Sequence, residues 1–160
     1  MRTRVVVLAF VLGLMAVGMA AAGLNGRWNT HATGGSEVPP NASHAQAQAN
    51  LKLSRDGTSL SYKLNVANIE NVTQAHIHMA APGANGAIVA WLYPSGPPTQ
   101  LVPGRSGGTL AEGIITAANL VGPLAGQSLA ALVSAIDAGN AYVNVHTSQF
   151  PGGEVRGNIR

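Results

Sequence analysis

The feature that most constrains the fold of this chain is a strict two-residue alternation of apolar and polar side chains in two consecutive segments. Residues 45–53 read Ala-Gln-Ala-Gln-Ala-Asn-Leu-Lys-Leu, and residues 59–66 alternate Leu, Tyr, Leu and Val with Ser, Lys and Asn. Successive side chains on a strand point to opposite faces, so each segment is typical of a β-strand with one buried face. An Arg-Asp-Gly-Thr turn sequence at 55–58 separates them. The sequence therefore predicts a β-hairpin.

Much of the remaining chain consists of short apolar-rich segments separated by glycine and proline. Regular short strands with such separators are typical of an antiparallel sandwich or barrel. Residues 94–107 contain too many Gly, Pro and Ser residues for a core strand, and we predict a loop there. Further strands are predicted at 73–79, 87–93, 108–116, 141–147 and 154–159.

One segment departs from the two-residue period. Between residues 126 and 138 the apolar residues recur at three- and four-residue steps, and Gly-Asn follows. This spacing places them on one face of a helix. The sequence predicts a short α-helix near residues 127–138 and a further helical turn at 116–120. The apolar residues of the helix are Leu129, Leu132, Val133 and Ile136.

The first 22 residues have the composition of an export signal. Two arginines precede an apolar run over residues 5–19, and three alanines at 20–22 supply the small residues expected before a cleavage site. The alternative, an uncleaved membrane anchor, is disfavoured because a spanning helix needs about 20 apolar residues. We predict a signal peptide at 1–22, one mature domain at 23–160, a secreted or otherwise extracytoplasmic location, and no stable membrane span after cleavage.

Charge and cysteine content narrow the classes of function. The chain has nine Lys and Arg, six Asp and Glu, and no cysteine. Two of the arginines belong to the predicted signal, so seven basic and six acidic residues remain in the mature domain. This near-balance, with an aromatic content of 4%, disfavours nucleic-acid binding. Without disulfides, the domain must be stabilised by packing, with a bound metal as a further source of stability.

Three histidines share the same parity on predicted strands. His76 and His78 flank Ile77 in one strand, and His146 follows Val145 in another. If the apolar residues fill the core, the imidazoles point outward, and they converge if the two strands are neighbours. A His-x-His pair with a third histidine suits zinc or copper(II) at a surface site and leaves one coordination position open. The alternative is that exposed histidines hydrogen-bond to loop carbonyls.

The last predicted strand carries two charged residues on the outward parity. A Pro-Gly-Gly turn precedes it, so it is predicted to pair antiparallel with the strand of His146. Glu154 could accept a hydrogen bond from a metal-ligating imidazole, and Arg156 could attract a small anion. The simpler interpretation of these two residues is an ordinary surface ion pair. His31 and His44 lack the paired spacing and are predicted to be surface residues.

A Gly-x-Ser-x-Gly motif at residues 104–108 is the one feature that suggests a serine hydrolase. A nucleophile elbow needs a strand before the serine and a helix after it. Here prolines precede the motif and a strand-like segment follows it. The sequence therefore disfavours a hydrolase.

Four separated blocks in this sequence together resemble the CHRD (chordin) domain family, and the resemblance spans about residues 30–160. It resembles the single CHRD domains of secreted microbial proteins. The cysteine-rich modules that accompany the repeats in chordin have no counterpart here, so growth-factor binding is not implied. The blocks are Gly-Ser-Glu-Val-Pro-Pro at 35–40, Ala-His-Ile-His at 75–78 with Gly-Ala-Asn-Gly at 83–86, Gly-Asn-Ala-Tyr-Val-Asn-Val-His-Thr at 139–147, and Pro-Gly-Gly-Glu-Val-Arg-Gly at 151–157.

The resemblance implies an all-β fold, an antiparallel Greek-key sandwich of the immunoglobulin or superoxide-dismutase type. It implies no established reaction, and it favours an extracytoplasmic binding or structural module with an unknown ligand or protein partner. Copper/zinc superoxide dismutase is more distantly similar, because a His-x-His strand supplies two of its copper ligands. By that similarity His76, His78 and His146 would bind copper in an oxidoreductase, with Arg156 guiding superoxide. The dismutase disulfide, bridging histidine and zinc ligands have no evident match.

Overall fold

The computed structural model describes residues 26–160, which form seven β-strands and one short α-helix. The helix, α1, is Leu129–Asp137. The strands are β1 Arg27–Thr33, β2 Gln46–Leu53, β3 Leu60–Met79, β4 Ala87–Tyr93, β5 Val102–Ile115, β6 Ala141–Thr147 and β7 Val155–Asn158. Single turns of 3-10 helix lie in the connections at Gly34–Ser36, Ala117–Asn119 and Gly122–Leu124.

The predicted hairpin is confirmed as β2 and the first part of β3. The register pairs Leu53 with Leu60 and Ala47 with Val66, and residues 54–59 form the turn. The apolar members of the alternation are buried along β2 and the first part of β3, apart from the half-buried Leu53 at the turn. The two-residue period therefore identified both the strands and the faces that they bury.

β3 is 20 residues long and continues through the region where the sequence predicted a break between two strands. Asn68 and Asn71 lie in this region with φ angles of 54° and 53°, a left-handed conformation that asparagine adopts more readily than most residues. The pairing with β5 shifts register at the same place, which bends a strand without ending it. As a result, the first half of β3 pairs with β2 and β5, and the second half pairs with β6 and β4.

The strand pairings close on themselves. β2 pairs with β1, β1 with β7, and β7 with β6, while β2 and β6 both pair with β3. The contact between β1 and β7 is narrow: Thr33 pairs with Arg156, and Asn29 exchanges two backbone hydrogen bonds with Arg160. The fold is thus mostly β, with one short helix and a β-barrel-like sheet. The two-sheet Greek-key sandwich stays a prediction.

Helix α1 packs its apolar face on the barrel core, as its sequence spacing predicted. Gly139 follows the helix at φ +71°, a conformation that commonly ends helices and that glycine adopts without strain. The Trp28 indole N–H of β1 donates to Asp137 Oδ1 at 3.0 Å, which links the end of the helix to the barrel. The buried residues of α1 are Leu129, Leu132, Val133 and Ile136.

Two strands differ from the sequence expectations. No strand was predicted over Arg27–Thr33, although Trp28, Thr30 and Ala32 are its buried positions, because a central threonine weakens the apolar signal. β5 begins at Val102, inside the predicted loop. Glycine and proline are tolerated there because, within residues 26–160, β5 pairs only with β3 and leaves its other edge free.

The Gly-x-Ser-x-Gly motif lies in β5, so it lacks the setting of a nucleophile elbow. Residues 104–108 lie within this strand and not at a turn between a strand and a helix.

The predicted helical turn at 116–120 is confirmed by the 3-10 turn Ala117–Asn119.

The predicted signal peptide at 1–22 lies outside the described residues. Between residues 26 and 160, α1 and the 3-10 turns are all too short to cross a membrane.

Candidate metal site

β3 and β6 are neighbours, and their pairing brings the three predicted histidines together. The register places His76 opposite Asn144, His78 opposite Tyr142, and Gln74 opposite His146. Directly opposite residues in a sheet share a face, so the three imidazoles lie on one face. Their apolar neighbours along both strands belong to the core. The parity argument from the sequence is therefore confirmed.

The three rings are close enough to share an ion. His76 Nδ1 lies 3.3 Å from His146 Nε2. One ring nitrogen from each of His76, His78 and His146 lies within 4.8 Å of the other two. A zinc–nitrogen bond is about 2.0–2.1 Å long, so two nitrogens on one tetrahedral ion are separated by roughly 3.4 Å. The separation between His76 and His146 has this size.

The prediction that the histidines lie on the exposed surface is wrong. His76 is 0% exposed, His78 8% and His146 6%. Trp91 of β4 stands edge-on to His76, with ring centroids 4.3 Å apart and planes at 90°. Loop carbonyls contact the other two rings. The face turned away from the core is buried because loops and side chains from distant parts of the sequence cover it.

Backbone carbonyls determine which nitrogen of two histidines carries the proton. His78 Nδ1 lies 3.0 Å from the carbonyl oxygen of Gly86, and His146 Nδ1 lies 3.0 Å from that of Pro151. A carbonyl only accepts hydrogen bonds, so each Nδ1 is protonated and donates. In a neutral ring the Nε2 atom is then a lone-pair donor available to a metal. His78 Nε2 is buried and has no hydrogen-bond partner within residues 26–160.

The position of the proton on His76 follows from its contact with His146. Because His146 Nε2 is unprotonated, it accepts, and His76 Nδ1 donates across the 3.3 Å contact. The other His76 nitrogen, Nε2, is buried without a partner in the described part of the chain. For His76 Nδ1 to bind an ion together with His146, the proton must move to Nε2.

Burial keeps all three imidazoles in the neutral form. It lowers the pKa of His76 to about 3, with the nearby His146 and His78 as smaller causes. It lowers the pKa of His146 to about 4. The pKa of His78 is also lowered, mainly by burial. At neutral pH the three rings are therefore uncharged, which is the form that ligates metals.

Gly86, Tyr142 and Pro151 contact the histidines, and all three belong to the sequence blocks that resemble the CHRD family. The comparison with protein families agrees with that resemblance. The CHRD domain matches over residues 28–159. This chain belongs to the CHRD domain family. Comparison with curated proteins and with solved structures found no significant match.

Arg156 of this CHRD domain is not a surface residue, contrary to the surface ion pair predicted for it. It is 2% exposed, and its guanidinium carbon lies 3.5 Å from the centroid of the Tyr142 ring. Its Nη1 donates to Asn85 Oδ1 at 3.0 Å and its Nη2 to the Ala84 carbonyl at 2.6 Å. The Tyr142 ring in turn stacks on His78, with centroids 4.9 Å apart and planes within 9°. The Tyr142 ring thus separates Arg156 from His78 and contacts both.

Glu154 is also buried, and it bonds to other partners than the predicted imidazole. Its carboxylate accepts hydrogen bonds from Ser43 Oγ at 2.6 Å and Thr147 Oγ1 at 2.7 Å. Its backbone carbonyl accepts one from the Asn41 side chain at 3.0 Å. Among the described residues it forms no ion pair with Arg156. In the CHRD domain Glu154 therefore fastens the segment before β2 to the β6–β7 hairpin.

A second buried carboxylate belongs to the first block of the family resemblance. Glu37 Oε1 accepts a 2.6 Å hydrogen bond from Asn144 Nδ2. Asn144 lies between His76 on β3 and Arg156 on β7 in the strand register. Burial raises the pKa of Glu37, whereas Asn144 and the Arg156 charge lower it. Glu37 thus contacts the histidine face of the sheet through Asn144.

Sequence reasoning assigned no role to three residues that enclose the site. Trp91 is directly opposite His76 on β4, and Tyr142 and Asn144 share the parity of His146 on β6. That shared parity was the available signal for the two β6 residues, and nothing in the sequence paired β4 with His76. His31 and His44 are exposed, as predicted.

Proposed function

We propose that this CHRD domain is an extracytoplasmic metal-binding module that holds one copper or zinc ion with His76, His78 and His146. The observation that carries the proposal is a buried cluster of three neutral imidazoles whose ring nitrogens lie within 4.8 Å of one another. In two of the rings Nδ1 donates to a backbone carbonyl, which leaves the Nε2 lone pair as a ligand. Such outer hydrogen bonds orient histidine ligands in metal sites.

Ordinary hydrogen bonding, the alternative interpretation, accounts for only part of the cluster. His78 and His146 do bond to loop carbonyls, but each does so through one nitrogen. The Nε2 atoms of His76 and His78 are buried without partners in residues 26–160. A buried polar atom without a partner costs about 1–3 kcal/mol. Ligation of an ion by His78 Nε2 would remove that penalty for His78.

The ligand chemistry favours copper or zinc. Both ions bind imidazole, whereas calcium and magnesium need oxygen ligands. The two buried carboxylates nearby are engaged elsewhere, Glu37 with Asn144 and Glu154 with Ser43 and Thr147. Three protein ligands leave one position for water or another small ligand.

The extracytoplasmic location is supported by the export-like segment at 1–22 and by the resemblance to secreted single-domain CHRD proteins. The mature domain at 23–160 would meet its ligand or protein partner outside the cytoplasm. The partner is not nucleic acid in this proposal, because the mature domain is nearly balanced in charge. The Greek-key sandwich of the dismutase type is the finer fold proposal, supported by the His-x-His pair on a central strand.

A second candidate function is a copper-dependent oxidoreductase similar to superoxide dismutase. The observation that favours it is the position that a three-histidine site leaves open for a small substrate. The anion-guiding part of this candidate lacks a surface group, because Arg156 is 2% exposed and two of its N–H groups donate to Asn85 and Ala84. An assay of superoxide dismutation by the copper-loaded domain distinguishes the enzyme from the binding module.

The mature domain, produced without a histidine tag, tests the proposal. Bound metal is measured by elemental analysis after purification, and copper or zinc is then added to the chelator-treated domain while its melting temperature is followed. We expect one ion per chain and a higher melting temperature. A ligand at 100 times its Kd stabilises a folded protein by about 2.7 kcal/mol.

Single variants locate the ion. His76→Ala and His146→Ala should abolish stoichiometric binding, whereas the exposed controls His31→Ala and His44→Ala should bind like the wild type. If no metal binds and none stabilises the domain, the proposal is wrong. If binding survives both cluster variants, the ion lies elsewhere.

A further inference from the structure

Three side chains, Arg156, Tyr142 and His78, stack in a column that ends at the candidate metal site. Tyr142 lies on β6, with His78 opposite it on β3 and Arg156 diagonally across on β7. The Tyr142 ring is stacked on His78 at 4.9 Å, and the Arg156 guanidinium carbon is 3.5 Å from the Tyr142 centroid. His78 and Arg156 approach from strands on opposite sides of β6. The tyrosine ring therefore lies between the imidazole and the guanidinium.

One turn holds all three members of the column in place. Oxygen atoms of the turn at residues 83–86 accept two hydrogen bonds from Arg156 and one from His78. It also donates the Gly86 N–H to the Tyr142 hydroxyl at 3.1 Å. Because these bonds come from one short segment, the distance between the guanidinium and the His78 ring is constrained.

The charge on Arg156 is weakly screened at the histidines. The side chain is 2% exposed, so little water or salt lies around it. The histidine ligands are neutral and offer no negative charge against it. Of the buried carboxylates, Glu37 is hydrogen-bonded to Asn144 and interacts electrostatically with Arg156. Glu154 is bonded to side chains of the neighbouring loop and strand.

We propose that Arg156 is a specificity-determining residue that favours monovalent copper over divalent zinc at the three-histidine site. This inference rests on the proposed function, since it needs an ion at that site. Coulomb repulsion between the guanidinium and an ion is proportional to the charge of the ion, so zinc is opposed twice as strongly as copper(I). The guanidinium lies 3.5 Å from the Tyr142 centroid, and that ring is stacked on His78, so the charge is one aromatic ring away from a ligand of the ion.

The test compares affinities for zinc and for copper(I), each measured by competition with a chromophoric chelator without oxygen. Arg156→Gln removes the charge and keeps amide N–H donors for the turn. We expect its zinc affinity to rise about tenfold and its copper(I) affinity about threefold, so that the preference shifts about threefold toward zinc. Arg156→Lys keeps the charge, and Arg160→Gln removes an exposed charge; neither should shift the preference.

A second variant, Glu37→Gln, tests the same electrostatic effect by removing an acidic group in place of the basic one. Glu37→Gln removes a carboxyl group that interacts electrostatically with Arg156, so zinc affinity should fall more than copper(I) affinity. If Arg156→Gln does not fold, the ratio of zinc to copper(I) affinity in Glu37→Gln tests the inference alone. An unchanged ratio of the two affinities in the folded variants overturns the inference and leaves the proposed function intact. A wild-type domain that binds neither ion overturns the proposed function itself.

Discussion

His76 Nδ1 lies 3.3 Å from His146 Nε2, and His146 Nδ1 lies 3.0 Å from the Pro151 carbonyl oxygen. Pro151 can only accept, so His146 accepts in turn from His76, and the shared proton belongs to His76 Nδ1. An ion bound by both facing nitrogens takes the place of that proton. The proton then belongs on His76 Nε2, the buried atom without a partner in the described chain.

We therefore expect zinc to change the tautomer of His76 alone. Long-range nitrogen-15 correlation spectra of the histidine rings should show His76 protonated at Nδ1 before zinc is added and at Nε2 afterwards. His78 and His146 should keep their protons on Nδ1, and the exposed His31 should not change. A His76 ring that keeps Nδ1 protonated with zinc bound would show that Nδ1 is not a ligand.

The metal-free domain should lose stability in acid because of the buried histidines. An unfolded histidine has a pKa of about 6.5, whereas in the folded domain the pKa of His146 is lowered to about 4 and that of His76 to about 3. Between these values the unfolded chain binds more protons than the folded one, so the free energy of unfolding falls as pH falls below about 6.5. Denaturant unfolding at a series of pH values measures this slope.

Glu37 acts in the opposite direction, because burial raises its pKa, so the slope is best compared between variants. His146→Asn should unfold with a smaller pH dependence than the wild type between about pH 6.5 and 4. His31→Asn, at an exposed position, should leave the slope unchanged. Equal slopes in all three proteins would contradict a neutral, buried His146.

The turn of the β2–β3 hairpin should depend on the ionised form of Asp56. Its carboxylate accepts from Ser54 Oγ at 2.6 Å and from the Thr58 hydroxyl and N–H at 2.8 and 3.1 Å. The hydrogen bond from Ser54, followed by those from Thr58, lowers the pKa of Asp56 to about 2. The stabilisation is present above the ordinary value of 3.8 and is lost as pH falls through about 2. Asp56→Ala should lower the melting temperature at neutral pH, and the difference should shrink near pH 2. Arg55→Ala is the control at the adjacent exposed position, and an equal loss there would refute the role of the carboxylate.

Two adjacent glycines in the β6–β7 turn should respond differently to alanine. A Cβ on Gly153 would lie 2.6 Å from Asn144 Oδ1 and 2.7 Å from Glu37 Oε1, at a φ of +127° that only glycine readily adopts. Gly153→Ala should therefore cost about 1–3 kcal/mol of unfolding free energy. At Gly152 a Cβ would meet no atom within 4 Å, so Gly152→Ala should be nearly neutral. Similar unfolding midpoints in urea for the two variants would contradict this packing.

The parts of the fold that sequence reasoning predicted best are those whose pattern is local. The hairpin alternation and the helix spacing around Leu132 each depend on neighbouring residues, and both elements were found. The continuity of β3 through Asn68 and Asn71 depends on pairing with four other strands, which no local pattern contains. The closed order of strands has the same origin, because it joins β1 to β7 from opposite ends of the domain.

For the site, parity predicted that His76, His78 and His146 share a face, because alternation on a strand is a local property. It did not predict that this face is buried. The cover comes from Trp91 and from loop residues far away in sequence. Arg156 was misplaced for the same reason, since its partners lie in the turn at 83–86.

The narrow seam between β1 and β7 has a consequence for biosynthesis. The strand that begins the barrel is matched to one that begins more than 120 residues later, so the ring cannot close while residues 155–158 are still in the ribosome. Pairings of such long sequence separation are formed slowly. Until then the turn at residues 83–86, which contacts His78, lacks the two hydrogen bonds that Arg156 donates to it.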